Sequence, residues 1–441
     1  MPMEMKAVYD FFDEKGKAVA KDKACGVKAG DDGLNVTPEF GGLLSFFYSE
    51  IREVRGDDYK AVISLASGEK LVLKELGYQF EDLLRVLEKH RRDAAVEWML
   101  MEEGLTKGGF EAEFAFKMKG GKKGKGACEM RLYETGMVIV PEEGEPVRLH
   151  YGDITEVGGS EDELVVKVAT VAGDAYEFTK MGNKLGLFRR TLSKIISSRA
   201  EEVQAWVMNL LPKAEPSVIR KLVQLMKEGN AVKKKDFDAV YPALWKQLES
   251  KIDETEMKEE YAFLKKMSQR EKICVGVKRG LMGGLTKEYF WFLIPIYGGK
   301  RGEPGNAIAM ESISADDAGG RATYFFRLTG RKAYAKMKNS KELDKEVDSF
   351  IESINRCMIE TNFRREPIYL SDEKLNEAKH GKYRTAIEKV PSLRALRSLF
   401  IGRVMHTDTE QWERDVTGLL KFNVAAGDDA AKWVKNAEST G

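Results

Sequence analysis

Residues 24–42 read ACGVKAGDDGLNVTPEFGG, and residues 127–145 read ACEMRLYETGMVIVPEEGE. An offset of 103 carries Ala24 onto Ala127, Cys25 onto Cys128, Gly33 onto Gly136, Val36 onto Ile139, Pro38 onto Pro141 and Gly41 onto Gly144. The same offset pairs Tyr48 with Tyr151, Ile51 with Ile154 and Val54 with Val157. Two inserted residues raise it to 105, and Gly68 then meets Gly173, Leu76 meets Met181, Gly77 meets Gly182 and Leu87 meets Leu192. The matches fall on glycine, proline and apolar positions, the residue types that fix backbone conformation and core. The chain therefore contains a tandem repeat. Its period is too long for a solenoid unit, so each copy is a whole domain.

Inside copy one, ACGVKA, GLNVT, LLSFFY, YKAVISLA and EKLVLKEL read as strands. Copy two gives CEMRLY, GMVIVP, PVRLHY, ELVVKVATV and AYEFTKM. Each set ends in an amphipathic helix. Phe80, Leu84 and Leu87 form the apolar stripe in copy one, and Phe188, Leu192 and Ile195 form it in copy two, with Trp206 further along.

A run of antiparallel strands closed by one C-terminal helix resembles the pleckstrin-homology-like (PH-like) fold. The stretch FFYSEIREVRGDDYKAVISLASGEKLVL carries the resemblance most clearly, with its counterpart around GDITEV in copy two. The likeness covers residues 20–210 and rests on structural positions, so it implies a bent antiparallel sheet plugged by a helix and implies no catalytic residue. It also implies that a lipid-head-group site would place basic residues in the first hairpin. KAGDDG in copy one carries acids there, which argues against phosphoinositide binding.

The expected fold class is α+β, in six segments: PH-like domains at 1–105 and 106–211, a helical connector at 212–268, an α+β domain at 269–362 that is a candidate third, divergent PH-like unit, a helical C-terminal region at 363–424, and a flexible tail at 425–441. In the connector, Pro216 starts a helix and Gly229-Asn230 stops it. Lys233, Lys234 and Lys235 follow, but the segment around them is too long for the turn of a DNA-binding helix-turn-helix. Strand signals return in KICVGVK, EYFWFLIPIYG, NAIAMESI and ATYFFRL; the aromatic run Tyr289-Phe290-Trp291-Phe292 reads as core on both faces of a sheet. Glycine-rich 279–287 lacks the residue order of a phosphate-cradling loop. PSLRALRSLFIGRVMH reads as helical, and Thr407 with Glu410 forms a capping-box pattern for the last helix.

The 72 Lys+Arg and 71 Asp+Glu nearly cancel, so any attraction to a polyanion must come from a local patch. One such patch exists. KMKGGKKGKG, residues 117–126, holds Lys117, Lys119, Lys122, Lys123 and Lys125, four glycines and no acid. It lies between the copies and reads as a solvated hairpin loop or linker, with anion binding as the functional alternative. No aromatic residue interleaves to stack on bases.

Signals for catalysis are weak. The four cysteines, Cys25, Cys128, Cys274 and Cys357, are far apart, which fits reduced, buried thiols rather than a zinc site or a disulfide framework. The four histidines form no metal motif. His406, near Arg403 and Asp408, admits a base–acid pair but reads more simply as a surface helix-cap neighbourhood. No cofactor, metal or catalytic residue is assigned. No secretory or membrane-spanning segment is read, and the expected location is cytoplasmic. The expectation is a non-enzymatic adaptor or scaffold with a protein or peptide partner. The alternative is polyanion binding, to nucleic acid or an acidic membrane, through the Lys/Gly segment.

Overall fold

The repeat offset survives in three dimensions. A computed structural model of the chain describes residues 2–31, 33–101, 103–159, 164–278, 289–298, 305–313, 321–337, 339–375, 377, 380–406 and 408–425. The chain divides into two units, Met1–Leu185 with Ser371–Lys389, and Gly186–Leu370 with Val390–Gly441.

The first unit opens with β1 (Met3–Phe12), β2 (Ala18–Gly30), β3 (Gly33–Pro38), β4 (Leu44–Phe46), β5 (Ile51–Asp57), β6 (Lys60–Leu65), β7 (Lys70–Lys74) and helix α1 (Phe80–Leu100). It continues with β8 (Leu105–Lys117), β9 (Lys123–Tyr133), β10 (Gly136–Pro141), β11 (Val147–His150), β12 (Ile154–Gly158), β13 (Val166–Thr170) and β14 (Ala175–Thr179). The first sheet is ordered β4-β3-β2-β1-β7-β6-β5 and the second β11-β10-β9-β8-β14-β13-β12, the same order shifted by one module. Both sheets are antiparallel and curled.

Equivalent residues do equivalent jobs. Cys25 faces Pro38 across β2 and β3, and Cys128 faces Pro141 across β9 and β10. A Cβ on Gly33 would strike the Phe46 carbonyl oxygen, and one on Gly136 would strike that of Leu149, so both positions exclude a side chain. Glu75 and Lys180 take left-handed backbone angles (φ +59° and +57°), and Gly77 and Gly182 share φ +55°. That common turn leads from the last strand of each module into its helix.

Each module has seven strands, two more than the sequence pattern predicted. The additions are β1 and β5 in the first and β8 and β12 in the second. β8 hid because its FEAEFAFK repeat is rich in Ala and Glu, which are depleted in strands. β5 is an edge strand whose side chains are mostly exposed, so it carries no apolar alternation. The KAGDDG turn joins β2 to β3 and is not the first hairpin of its module; that hairpin is β1–β2, and its counterpart in the second module is β8–β9.

Helix α1 serves both modules. Phe80, Leu83 and Leu87 lie in the first core with Leu34, Val36, Ile63 and Leu71. Its last turns carry Val96 and Leu100, which pack with Tyr133, Val138 and Val140 of the second sheet. Every residue of β10 is buried, since Met137 and Ile139 face one way and Val138 and Val140 face α1. Arg148 and Glu103, both nearly inaccessible, close this contact with a 2.6 Å ion pair, and Glu103 Oε2 also accepts from Thr135 Oγ1 at 2.8 Å. Arg131 adds a bridge to Asp93 at 3.1 Å.

Helices α2 (Leu185–Leu210), α3 (Pro216–Leu225), α4 (Lys234–Val240), α5 (Pro242–Asp253) and α6 (Lys258–Lys266), with the short strand β15 (Val232–Lys233), precede β16 (Cys274–Lys278), β17 (Tyr289–Ile296), β18 (Ala307–Ile313) and β19 (Ala322–Arg327). Then come α7 (Arg331–Tyr334), α8 (Asp344–Glu360) and α9 (Glu366–Tyr369). The next two helices, α10 (Asp372–Leu375) and α11 (Gly381–Lys389), belong to the first unit. Helix α12 (Pro391–Leu399), strand β20 (Phe400–Met405) and helix α13 (Thr409–Val424) complete the second.

The second unit holds one antiparallel sheet in chain order, β15-β16-β17-β18-β19-β20. Among the described residues this meander lacks the first-to-last strand pairing of the two modules, so its strand order does not repeat theirs. Nor are 212–268 and 363–424 separable helical segments. Leu222, Trp245 and Tyr261 from the supposed connector share one core with Phe292, Ala309 and Phe325 of the sheet and Trp412 and Val416 of α13. The opposite face carries Trp291, against Phe363 at 5.4 Å, and Phe326, against Phe350 of α8 at 5.5 Å. Neighbours Trp291 and Phe292 are thus both buried, one on each face. The PSLRALRSLFIGRVMH segment is helical only to Leu399, after which Phe400–Met405 pairs with β19. β-branched and aromatic residues there favour the strand. The cap of α13 is Asp408, which accepts from the Gln411 amide at 2.9 Å; Thr407, residues 279–287 and the tail beyond Ala425 lie outside the described residues.

Candidate functional site

The Lys/Gly segment is neither a linker nor a stretch between the copies. It is the β8–β9 hairpin, closed by Met118 donating to the Lys122 carbonyl at 2.8 Å and Gly121 donating to Met118 at 2.9 Å. Its K-G-K-G alternation is strand geometry. Lys117 faces Lys123 and Ala115 faces Lys125, on one side of the ribbon. On the other side Phe116 faces Gly124 and Phe114 faces Gly126. A Cβ on Gly124 would overlap the Phe116 ring. The glycines are thus seats for two stacked phenylalanines, 5.9 Å apart, and only secondarily a source of freedom.

All five lysines, Lys117, Lys119, Lys122, Lys123 and Lys125, are exposed, and the structure brings them together at one hairpin. Among the described residues none of their ammonium groups forms an ion pair. Acids flank the patch without neutralising it: Asp174 accepts from the Lys119 amide at 2.9 Å, and Glu113 is taken by Lys180 at 2.6 Å. By contrast, the second basic run is self-neutralised. Lys233 bridges Asp348 at 2.7 Å, and Lys234 pairs with Asp238. Against the burial that raises it, hydrogen bonding from Lys233 and the charges of Lys235 and Lys272 hold the Asp348 carboxyl below its ordinary range.

A cleft of about 880 Å³ opens in the first unit where β5 and α1 meet the β10–β11 turn. Val54 and Leu84 supply its apolar floor, and Arg52, Glu53, Arg85 and Glu88 supply much of its rim. Arg91 reaches Glu145 at 2.6 Å and Arg92 donates to the Glu142 carbonyl, so the turn of one module sits against the helix of the other. Among the described residues, the outer edge of β5 pairs with no further strand.

The third cluster is His406, which is not in the surface helix-cap setting expected for it. Its side chain is 9% exposed and stacks on Trp412 at 5.6 Å. Nε2 lies 2.9 Å from Glu311 Oε2, and Nδ1 lies 3.4 Å from Glu260 Oε1. Neither glutamate is near it in sequence, and Asp408 is occupied as a helix cap. Arg403 lies over the Tyr369 ring at 4.2 Å. Burial disfavours the imidazolium, but the hydrogen bonds and charges of the two glutamates outweigh it and push the pKa up to about 9. Burial conversely raises the fully buried Glu311. Thr323 Oγ1 lies 3.2 Å from Nε2, which superficially gives a hydroxyl–imidazole–carboxylate series. Thr323, however, is inaccessible and donates to Glu311 at 2.6 Å, while Glu311 occupies the same imidazole nitrogen. A nucleophile needs its proton aimed at the base and an approach for substrate. The arrangement is an ionic clamp joining α6, β18, β19 and the end of β20.

Cysteine chemistry is disfavoured for a similar reason. All four thiols are free and buried, and burial pushes Cys25 up to about 11 and Cys128 up to about 12. Sequence reasoning missed Glu260, Glu311 and the cleft because each is assembled from distant segments. One signal was available. GLNVTP in copy one alternates, whereas its counterpart GMVIVP is apolar on both faces, which requires a second covering layer. Neither a scan of protein-family models nor a search of curated proteins finds a match for this chain.

Proposed function

We propose that the chain is a non-enzymatic interaction scaffold built on two tandem PH-like modules. The observation that carries this reading is the strand order β4-β3-β2-β1-β7-β6-β5 followed by a helix, present twice. A sheet of this kind leaves β5 as an open edge beside α1, with the Val54–Leu84 cleft alongside it. An extended peptide adds to such an edge through main-chain hydrogen bonds and fills the apolar floor with alternate side chains. The free, buried cysteines support a reducing compartment such as the cytoplasm.

The test is capture of partners from a native lysate by the wild-type chain and by Leu84→Glu, with high-salt washes and nuclease treatment in parallel. A protein retained by wild type through both treatments and lost by the variant is the expected result. Retention indifferent to Leu84, or loss on nuclease treatment, would overturn it.

A second reading is favoured by the unpaired hairpin lysines. In the second module the first hairpin does carry the bases that KAGDDG lacked, so binding of nucleic acid or an acidic membrane centres on Lys117, Lys119, Lys122, Lys123 and Lys125. The logarithm of affinity for single-stranded or duplex DNA would then fall linearly with the logarithm of salt concentration, at a slope of roughly −0.7 or −0.9, respectively, per phosphate neutralised. Replacing Lys119, Lys122, Lys123 and Lys125 by Ser would remove that binding.

A further inference from the structure

The short helix α11 lies against elements far from it in sequence, α1 and the Tyr48–Glu50 turn. The chain on either side of it, up to Leu370 and from Val390, belongs to the second unit, whereas Ser371–Lys389 belongs to the first. There α11 lies against α1 and the single helical turn Tyr48–Glu50. Its buried residues, Gly381, Tyr383, Thr385 and Ala386, form a small, mostly apolar face. Polar groups fix its register. Arg384 bridges Glu50 at 3.1 Å, and the Thr385 hydroxyl reaches the Ser49 carbonyl at 3.4 Å. Gly381 sits where a Cβ would press on the Ser49 hydroxyl at 3.3 Å. Lys389, at its end, is part of the lining of the Val54–Leu84 cleft.

We propose that the surface formed by α1 and the Tyr48–Glu50 turn is a receptor for a short amphipathic helix, that α11 occupies it in cis, and that a partner helix of the same pattern displaces α11. The pattern is an aromatic residue, then Arg, then two small residues, matching Tyr383-Arg384-Thr385-Ala386. Three properties of the segment favour exchange. Nine residues are too few to hold a helix in water without the surface beneath them. The buried face is small, and the anchoring ion pair is about one-third exposed on both sides, where such pairs contribute little. Elements of this kind open at lower free energy than the sheet that carries them. Because Lys389 borders the cleft, release of α11 also uncovers one wall of it. The inference rests on the scaffold reading for its purpose, but its physical content stands apart from it.

The probe is a fluorescein-labelled synthetic peptide of residues 371–390, added to the full chain and read by anisotropy. In the wild type the cis segment competes at high effective concentration, so binding is weak. In Ala386→Glu the cis helix is expelled, and the peptide should bind at least about tenfold more tightly. A peptide carrying Arg384→Glu should fail on that chain and recover when the chain also carries Glu50→Arg. Should Ala386→Glu not fold, hydrogen exchange of the wild type decides: residues 381–389 should exchange well before β1–β3. A folded Ala386→Glu chain that ignores the peptide, or exchange of 381–389 only together with the first sheet, would overturn the proposal. Neither outcome depends on Leu84, so failure here is distinguishable from failure of the scaffold reading.

Discussion

Substituting Asn for Val138 tests whether α1 welds the two modules together. Val138 is fully inaccessible on the face of β10 that packs against Val96 and Leu100 of α1. Its counterpart one repeat earlier, at the offset of 103, is Asn35, which accepts from Ser45 Oγ at 2.6 Å on an exposed face. Losing the buried valine surface costs roughly 1.5–3 kcal/mol. Placing an amide there without partners adds about 1–3 kcal/mol. Val138→Asn should therefore destabilise by about 2.5–6 kcal/mol, whereas the mirror change Asn35→Val should stay within about 1 kcal/mol. Urea unfolding followed by tryptophan fluorescence and circular dichroism measures the first. Hydrogen exchange then localises the loss: amides of the last turns of α1, residues 93–101, should lose protection while β1–β3 keep theirs. Equal effects of the two substitutions, or a Val138→Asn cost below about 1 kcal/mol, would refute the shared-helix account.

Three further expectations follow from the same geometry. Gly124→Val drives a side chain into the Phe116 ring and should cost about 1–3 kcal/mol in a thermal or urea melt, whereas Gly120→Ser, with open space around it, should be neutral; equal tolerance would restore the linker reading. The raised pKa of His406, about 9, makes the native state bind a proton the unfolded chain has released. Its stabilisation is full below pH 6.5 and lost as pH rises through 9, so the unfolding free energy from urea melts should fall over that window in the wild type, by roughly 1–3 kcal/mol, and stay flat in His406→Gln. Glu103→Gln leaves the buried Arg148 guanidinium without its counter-charge and should cost about 3–5 kcal/mol, with Glu103→Gln/Arg148→Met recovering part of it in the same melts.

The amino-acid sequence by itself determined the features that local chemistry carries. Glycines at 33 and 136, prolines at 38 and 141 and the paired helix stripes are set by backbone conformation and apolar periodicity, so the repeat and the two sheet-then-helix modules were legible without coordinates. The five hairpin lysines were legible too, since they are adjacent in the chain. What only the tertiary structure decided lies between distant segments. FEAEFAFK carries weak strand propensity and becomes β8 because β9 and β14 pair with it. Residues 212–268 and 363–424 read as separate helical pieces because a helix pattern reports one buried face and does not say against what. Glu260, Glu311 and His406 meet across 146 residues, and Arg384 meets Glu50 across 334. No periodicity encodes such pairings, because their free energy comes from burial and charge complementarity that exist only once the chain has closed on itself.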